Sequence, residues 1–513
     1  MKMKKIFKLL MLSILLVTSG VSGVTAWAQA DDTFIYAISG DPLSINPITT
    51  SDRWGLTTTN MIFSPLIRVE GDGSHKFELA EDIQVAEDGL TITVKLKEGV
   101  TWSDGEPFTA EDVVFTYETK ADKTNGNADK LWVGDQPIEF VAVDDHTVEF
   151  KLPEVNAAAV NNIATETYII PKHIYENEPD FSVNELRASP VGTGPYRLKE
   201  YRQGEYLAFE ANESYYGGKP KIKNIVFRII ANADTAKVAL QKGEVDASII
   251  MPADIADYEN QPVNIHTYSE NRVGYIGVNT NTLDDVKVRQ AIFAALNRDE
   301  MNLAAYLDPE YYHNAYSFLP PQNPYYTEDV NKHEGGAEKA KELLQEAGVD
   351  GLKITLGYTA NDPVQTMVAT LAQQQLLQAG IDLELKGMDG AALYAETSKP
   401  DQTSLDLFIG GYIMGTDPDF YTPLFTSNGA YNTFKYANEQ VDELFEAGAK
   451  EIDDSKRKEI YHELQQVLMD DAVIYPLVDN LKVFAVNERI DGIEDARFVP
   501  IYTMEDMSKL FIK

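Results

Sequence analysis

The stretch GYIGVNTNTLDDVKVRQAIFAALNRDEM, Gly274 to Met301, decides how the chain is organised. Its first seven residues read as a strand. After the polar break, Val288, Ala291, Ile292, Ala295 and Leu296 fall at i, i+3, i+4, i+7 and i+8, the spacing of an amphipathic helix. Before this point the chain is dominated by strands, such as TITVKL with its period-two alternation. After it, strands alternate with helices: LKITLGY, then PVQTMVATLAQQQLLQAGI, then DLELKGM and LDLFIGGYI. That alternation predicts an α/β unit.

Outward from Gly274, further elements follow the same logic. TFIYAISG near the start is an expected strand, and GTGPYRLKEYRQGEYLAFEA an expected hairpin. TAEDVVFTYETK is an expected helix with Thr109 as N-cap and Asp112 three residues on, a capping box with Asp in place of Glu. Asp234 is the expected cap of a helix stopped by Gly243.

A chain of 513 residues is too long for one ordinary core and predicts two or three domains. With 44 Lys and Arg against 81 Asp and Glu, the net charge is −37, which sets nucleic acid aside as a partner. The first residues carry the basic run MKMKK, the apolar run IFKLLMLSILLV and small residues at Ala26, Ala28 and Ala30. They predict a secretory signal over residues 1–30. No later segment approaches eighteen consecutive apolar residues. The chain has no cysteine, which removes disulfides, thiolate metal sites, a cysteine nucleophile and a lipid-bearing cysteine after the leader.

Enzymatic signatures are scarce. There is no H-E-x-x-H, P-loop or G-x-S-x-G, and the two glycines of VGTGPY are read as turn residues. The seven histidines are scattered and suggest no metal pair. No catalytic residue, metal or cofactor is expected.

Five segments, in order, resemble the extracytoplasmic solute-binding proteins of oligopeptide and dipeptide (family 5) ABC importers. They are LKEGVTWSDGEPFTAEDVVFTYE (Leu96 to Glu118), PVGTGPYRLKEY (Pro190 to Tyr201), DTAKVALQKGEVDA (Asp234 to Ala247), GVNTNTLDDVKVRQAIFAALNRDEM (Gly277 to Met301) and GYIMGTDPDFYTPLF (Gly411 to Phe425). The resemblance implies a two-lobed periplasmic-binding-protein-like fold (type II, cluster C) of α/β class with an extra β-rich subdomain. Lobe I would take residues 31–65, 190–275 and 486–513, the subdomain 66–189, and lobe II 276–485. Hinges are expected near YIGVNT and NLKVFAV.

The function implied is capture of an oligopeptide between the lobes, without catalysis, by a monomer that delivers it to a membrane ABC permease. The expected location is extracytoplasmic, in the periplasm or at the outer face of the membrane. Alternatives are the same fold binding a nickel complex or an oligosaccharide, a receptor for peptide pheromones, and a secreted hydrolase. A receptor of many peptides must grip backbone and α-amine, and the amine calls for a carboxylate buried on closure. In relatives an aromatic-then-acid loop supplies it. Here Tyr412 is the aromatic candidate and Asp417 and Asp419 are the acids, with Asp417 equally readable as a cap. By position, TSDRWGL resembles the loop that holds peptide backbone, which makes Asp52, Arg53 and Trp54 candidates. Tyr275 completes the set.

Overall fold

The computed structural model describes residues 32–513 except 71–72, 126–127, 165–166, 178–180 and 182–189; the expected leader, 1–30, lies outside the described residues. One large sheet organises the fold. Eleven of its twelve strands, in chain order, are β1 (Thr33–Ile38), β2 (Tyr196–Arg202), β3 (Tyr206–Ala211), β4 (Asn224–Ile229), β5 (Ala247–Ile250), β6 (Val263–Ser269), β7 (Arg272–Val278), β8 (Lys353–Thr359), β9 (Asp382–Met388), β10 (Leu407–Ile413) and β11 (Ile474–Asn487); the short twelfth, Tyr312–Asn314, pairs antiparallel with β11 from Val478 to Asn480. Their spatial order is β2-β3-β4-β1-β5-β11-β7-β10-β8-β9, with β6 also on β11. Strand β1 runs parallel to both β4 and β5, and all six of its residues are buried. This is why it reads as a nearly unbroken apolar run rather than an alternating one.

The fourteen-residue strand β11 belongs to both halves of the sheet. Its first part pairs antiparallel with β7, from Ile474 opposite Gly277 to Val478 opposite Gly274. Its second part pairs with β6, from Leu481 opposite Ser269 to Asn487 opposite Val263. The chain therefore crosses between halves at two adjacent places, Glu270–Asn271 and Asp479–Asn480. The first crossing lies a few residues before YIGVNT, because that stretch is already committed to pairing with β10. Buried carboxylates fasten the crossings. Asp479, with no exposed side-chain surface, accepts hydrogen bonds from Ser269 Oγ at 2.7 Å and Arg272 N at 3.3 Å. Glu270 ion-pairs with Arg53 at 2.7 Å and Lys482 at 3.6 Å.

Between β1 and β2 the chain builds a separate four-stranded antiparallel sheet, in spatial order Ala80–Val85, Thr91–Leu96, Thr147–Lys151 and Glu139–Asp144. The helix Ala110–Ala121 packs on it. Thr109 N donates to Asp112 Oδ2 at 2.9 Å, the reciprocal half of the expected capping box. Asp112 Oδ1 also accepts from Lys172 N at 2.8 Å, so one carboxylate serves two backbone donors.

Two helices differ from the expectation. The amphipathic run after Asp285 is two helices, Val286–Ala294 and Arg298–Tyr306, because Asn297 accepts from Glu300 N and opens the second. The helix Ala233–Gln241 is capped by Asn232, which accepts from Thr235 N at 2.9 Å, and Asp234 sits in its first turn.

The glycines of VGTGPY serve packing as well as turning. A Cβ on Gly192 would stand 1.9 Å from the carbonyl oxygen of Ile62, and one on Gly194 would stand 2.7 Å from it. Gly194 N donates to that same oxygen at 2.8 Å. Gly192→Ala is expected to lower stability by about 2–4 kcal/mol through this backbone collision. Chemical denaturation followed by circular dichroism measures it, and a loss under 0.5 kcal/mol would show that the neighbouring chain yields freely.

Candidate functional site

A cavity of about 580 Å³ lies where the four-stranded subdomain, the C-terminal segment and the second half of the sheet meet. That volume is within the range of small-ligand sites. The subdomain contributes Ile67 to Glu70, Trp132, Asn161, Asn162 and Tyr168; the far wall is Ile413 to Asp417, Asp419 and Phe420; the C-terminal segment adds Arg497 and Val499 to Tyr502.

The far wall is the end of β10 and the short 3-10 turn Pro418–Tyr421. Asp417 caps this turn, its Oδ1 accepting from Asp419 N at 2.9 Å. Proline at the next position pre-sets the turn. The Asp417 side chain has no exposed surface and is held by Arg457, Nη2 to Oδ1 at 2.7 Å and Nη1 to Oδ2 at 2.9 Å. Arg457 also donates from Nε to Gly448 O at 2.8 Å, and its guanidinium lies about 5 Å from the rings of Tyr325 and Tyr461 (5.3 and 5.2 Å). The charge of Asp417 is thus fully engaged.

Asp419 differs. It lines the cavity and accepts from Thr422 Oγ1 at 3.2 Å, and among the described residues no ion pair reaches it. Burial, with the neighbouring charge of Asp417, pushes its carboxyl up to about 6. A half-buried carboxylate with no ion pair among the described residues is costly to keep ionised, and a cation delivered to it is correspondingly well bound. Phe420, beside it, has the Lys130 ammonium 4.9 Å from its ring centre.

The remaining candidates lie elsewhere. Tyr412 donates from its hydroxyl to Phe318 O at 2.7 Å and packs 5.4 Å from Tyr275. Tyr275 is part of an aromatic core behind the wall, and the half-buried Tyr412 packs against that core. Asp52 caps the helix Arg53–Ile62, accepting from Trp54 N and Gly55 N. Trp54 is 9% exposed, donates to Ser39 Oγ at 3.1 Å and meets Tyr36 edge-on at 6.0 Å. Arg53 stands behind the cavity and steadies its lining: Nη1 donates to Ile501 O at 2.9 Å while Nη2 pairs with Glu270 at the crossing. Ile501 needs that support, since it is β-branched at φ +66°. So the structure brings Asp417 and Asp419 to the cavity, and leaves Asp52, Arg53, Trp54, Tyr275 and Tyr412 out of its lining.

Sequence reasoning did not single out Asn161, Trp132, Arg68, Arg497 or Glu505. Arg497 pairs with Glu505 at 2.8 Å and also with Glu70, and Arg68 lies 3.2 Å from Glu78. These groups come from both ends of the chain, and no local spacing marks them. Among the described residues no cluster of His, Cys, Asp and Glu is arranged to hold a metal ion, and no helix is long and apolar enough to cross a membrane.

A ligand-sized cavity thus lies between parts of the fold that are joined by two adjacent chain crossings. The family model for bacterial extracellular solute-binding proteins, family 5 (middle), matches residues 76–433, and the chain belongs to this family. The oligopeptide-binding protein AppA of Bacillus subtilis (strain 168) is 30% identical over 492 residues, covering 90% of this chain and 89% of that protein. Among solved structures, the ABC transporter substrate-binding protein CtaP of Listeria monocytogenes superposes with a TM-score of 0.90 at 39% identity, covering 94% of this chain and 99% of that one. AppA of Bacillus subtilis in complex with a nonapeptide gives 0.78 at 27% identity, with coverages of 94% and 99%.

Proposed function

We propose that this chain is the substrate-binding component of an ABC importer. It captures oligopeptides between its lobes outside the cytoplasm and hands them, as a monomer and without catalysis, to a membrane permease. One observation supports this most: the cavity wall holds a carboxylate, Asp419, that lacks an ion-pair partner among the described residues and sits beside an aromatic face. A peptide brings an ammonium to every complex whatever its sequence. Pairing it with Asp419 gives affinity without side-chain selectivity. The proposal thereby assigns the amine to Asp419 rather than Asp417, whose charge Arg457 already meets.

The test is native mass spectrometry of freshly purified protein. Release of peptides of mixed sequence is the expected result. A single sugar or a nickel chelate in their place would sink the peptide reading.

A further inference from the structure

Among the described residues, three hydrogen bonds join the subdomain to the far-wall side of the cavity, besides the contact of Lys130 with Phe420. Asn161, on the short helix Ala159–Ala164, donates from Nδ2 to Asp417 Oδ2 at 3.0 Å. Four residues earlier, Ala157 N donates to Ala449 O at 2.7 Å. Thr416 Oγ1 donates to Glu70 O at 3.5 Å. The first two share one organiser. Arg457 fixes both Asp417 oxygens, and through Nε it holds Gly448 O, the carbonyl next to the one that receives Ala157. Two acceptors on one lobe are therefore locked in place for two donors on one segment of the other.

We propose that Arg457, Asp417 and Asn161 form a closure latch: positioning residues that stabilise the shut arrangement of the lobes and leave recognition of the ligand to other groups. This rests on the reading that the lobes close over a ligand. It explains why two aspartates stand so close together in one loop. Both line the cavity, but Asp417 is held by Arg457 and reached by Asn161 from across it, while Asp419 has no ion pair among the described residues. Asn161 suits the role because a neutral amide donates to the engaged carboxylate without competing for Arg457, and its Oδ1 meets His75 Nε2 at 3.1 Å, which orients the amide. When the lobes part, Asn161 leaves, while the Arg457 pair persists within its own lobe. Opening therefore does not strand a buried charge, and the latch can be released reversibly.

The chain lacks cysteine, so a V143C/L377C background places two spin labels on exposed positions, one on each side. Electron–electron distance measurements on ligand-free protein then report closure without reference to any ligand. Asn161→Ala is expected to shift the distribution toward longer distances, and Asn161→Asp, which sets a second carboxylate against Asp417, to shift it further. In calorimetry, Asn161→Ala should weaken free-amine and N-acetylated forms of one peptide equally, by about tenfold. An unchanged distance distribution overturns the latch. So does a loss confined to the free-amine peptide, which would return Asp417 to the amine site. If no peptide binds even the parent protein, the peptide reading fails while the distance shift still decides the latch. Circular dichroism melts of both variants confirm that they fold.

Discussion

Asp419→Asn is expected to weaken binding of peptides with a free α-amine by about 30- to 1000-fold, while their N-acetylated counterparts lose less than about threefold. The range follows from the roughly 2–4 kcal/mol typical of removing one partner of a desolvated charge pair. Isothermal titration with matched peptides reads it directly, and equal losses for both would remove Asp419 from amine recognition. A pH signature accompanies it. The carboxyl of the free protein titrates near 6, and only its ionised form pairs with the ammonium. Affinity for free-amine peptides should therefore hold from about pH 6 to about 8, fall by up to tenfold per unit below 6, and fall again as the α-amine deprotonates. Acetylated peptides should show no such profile.

The same group acts on stability with a defined sign. Its folded-state value lies above that of an ordinary carboxyl, so the folded protein holds the proton more tightly than the unfolded chain. The destabilising effect of the ionised form is absent below about pH 4, grows between 4 and 6, and is full above 6, at about 1–3 kcal/mol. Ligand-free Asp419→Asn should accordingly melt higher than the parent protein at pH 7 and equal to it at pH 4. The wall thus gives up stability for affinity.

Arg457→Leu is expected to be the most destabilising single change at the site, by about 3–5 kcal/mol. It strands the Asp417 carboxylate, whose side chain has no exposed surface, and frees Gly448 O. Asp417→Asn/Arg457→Leu should recover more than half of that loss, because an amide keeps the cap of the turn and carries no charge. Urea denaturation of the two single variants and the double variant closes the cycle. A single-variant loss below about 1 kcal/mol, or a double variant no better than Arg457→Leu, would show that the pair does not carry the energetics of this wall.

Some of this was legible in the sequence and some was not, for identifiable reasons. The alternation of strands and helices after Gly274 is a local signal, and Val288, Ala291 and Ile292 are indeed buried. The segment TSDRWGL, expected to be a loop, instead opens the helix Arg53–Ile62. Gly55 and three consecutive threonines oppose helix formation, and the segment is helical because nearly every residue in it is buried against the first lobe. Asp52, a candidate for the ligand as a loop residue, is therefore engaged as the cap of that helix. The choice between Asp417 and Asp419 depended on Arg457, forty residues further along the chain. Asn161 lies 256 positions from its partner. Short-range patterns carry no trace of such pairings.

Strand β11, which pairs with β7 along one part and with β6 along the other, has a thermodynamic corollary. Neither lobe can lose its share of that strand without fraying the neighbour's ladder. Heat should therefore dismantle both together, and scanning calorimetry should record one sharp endotherm rather than two. A polypeptide of this length would then melt as one cooperative unit.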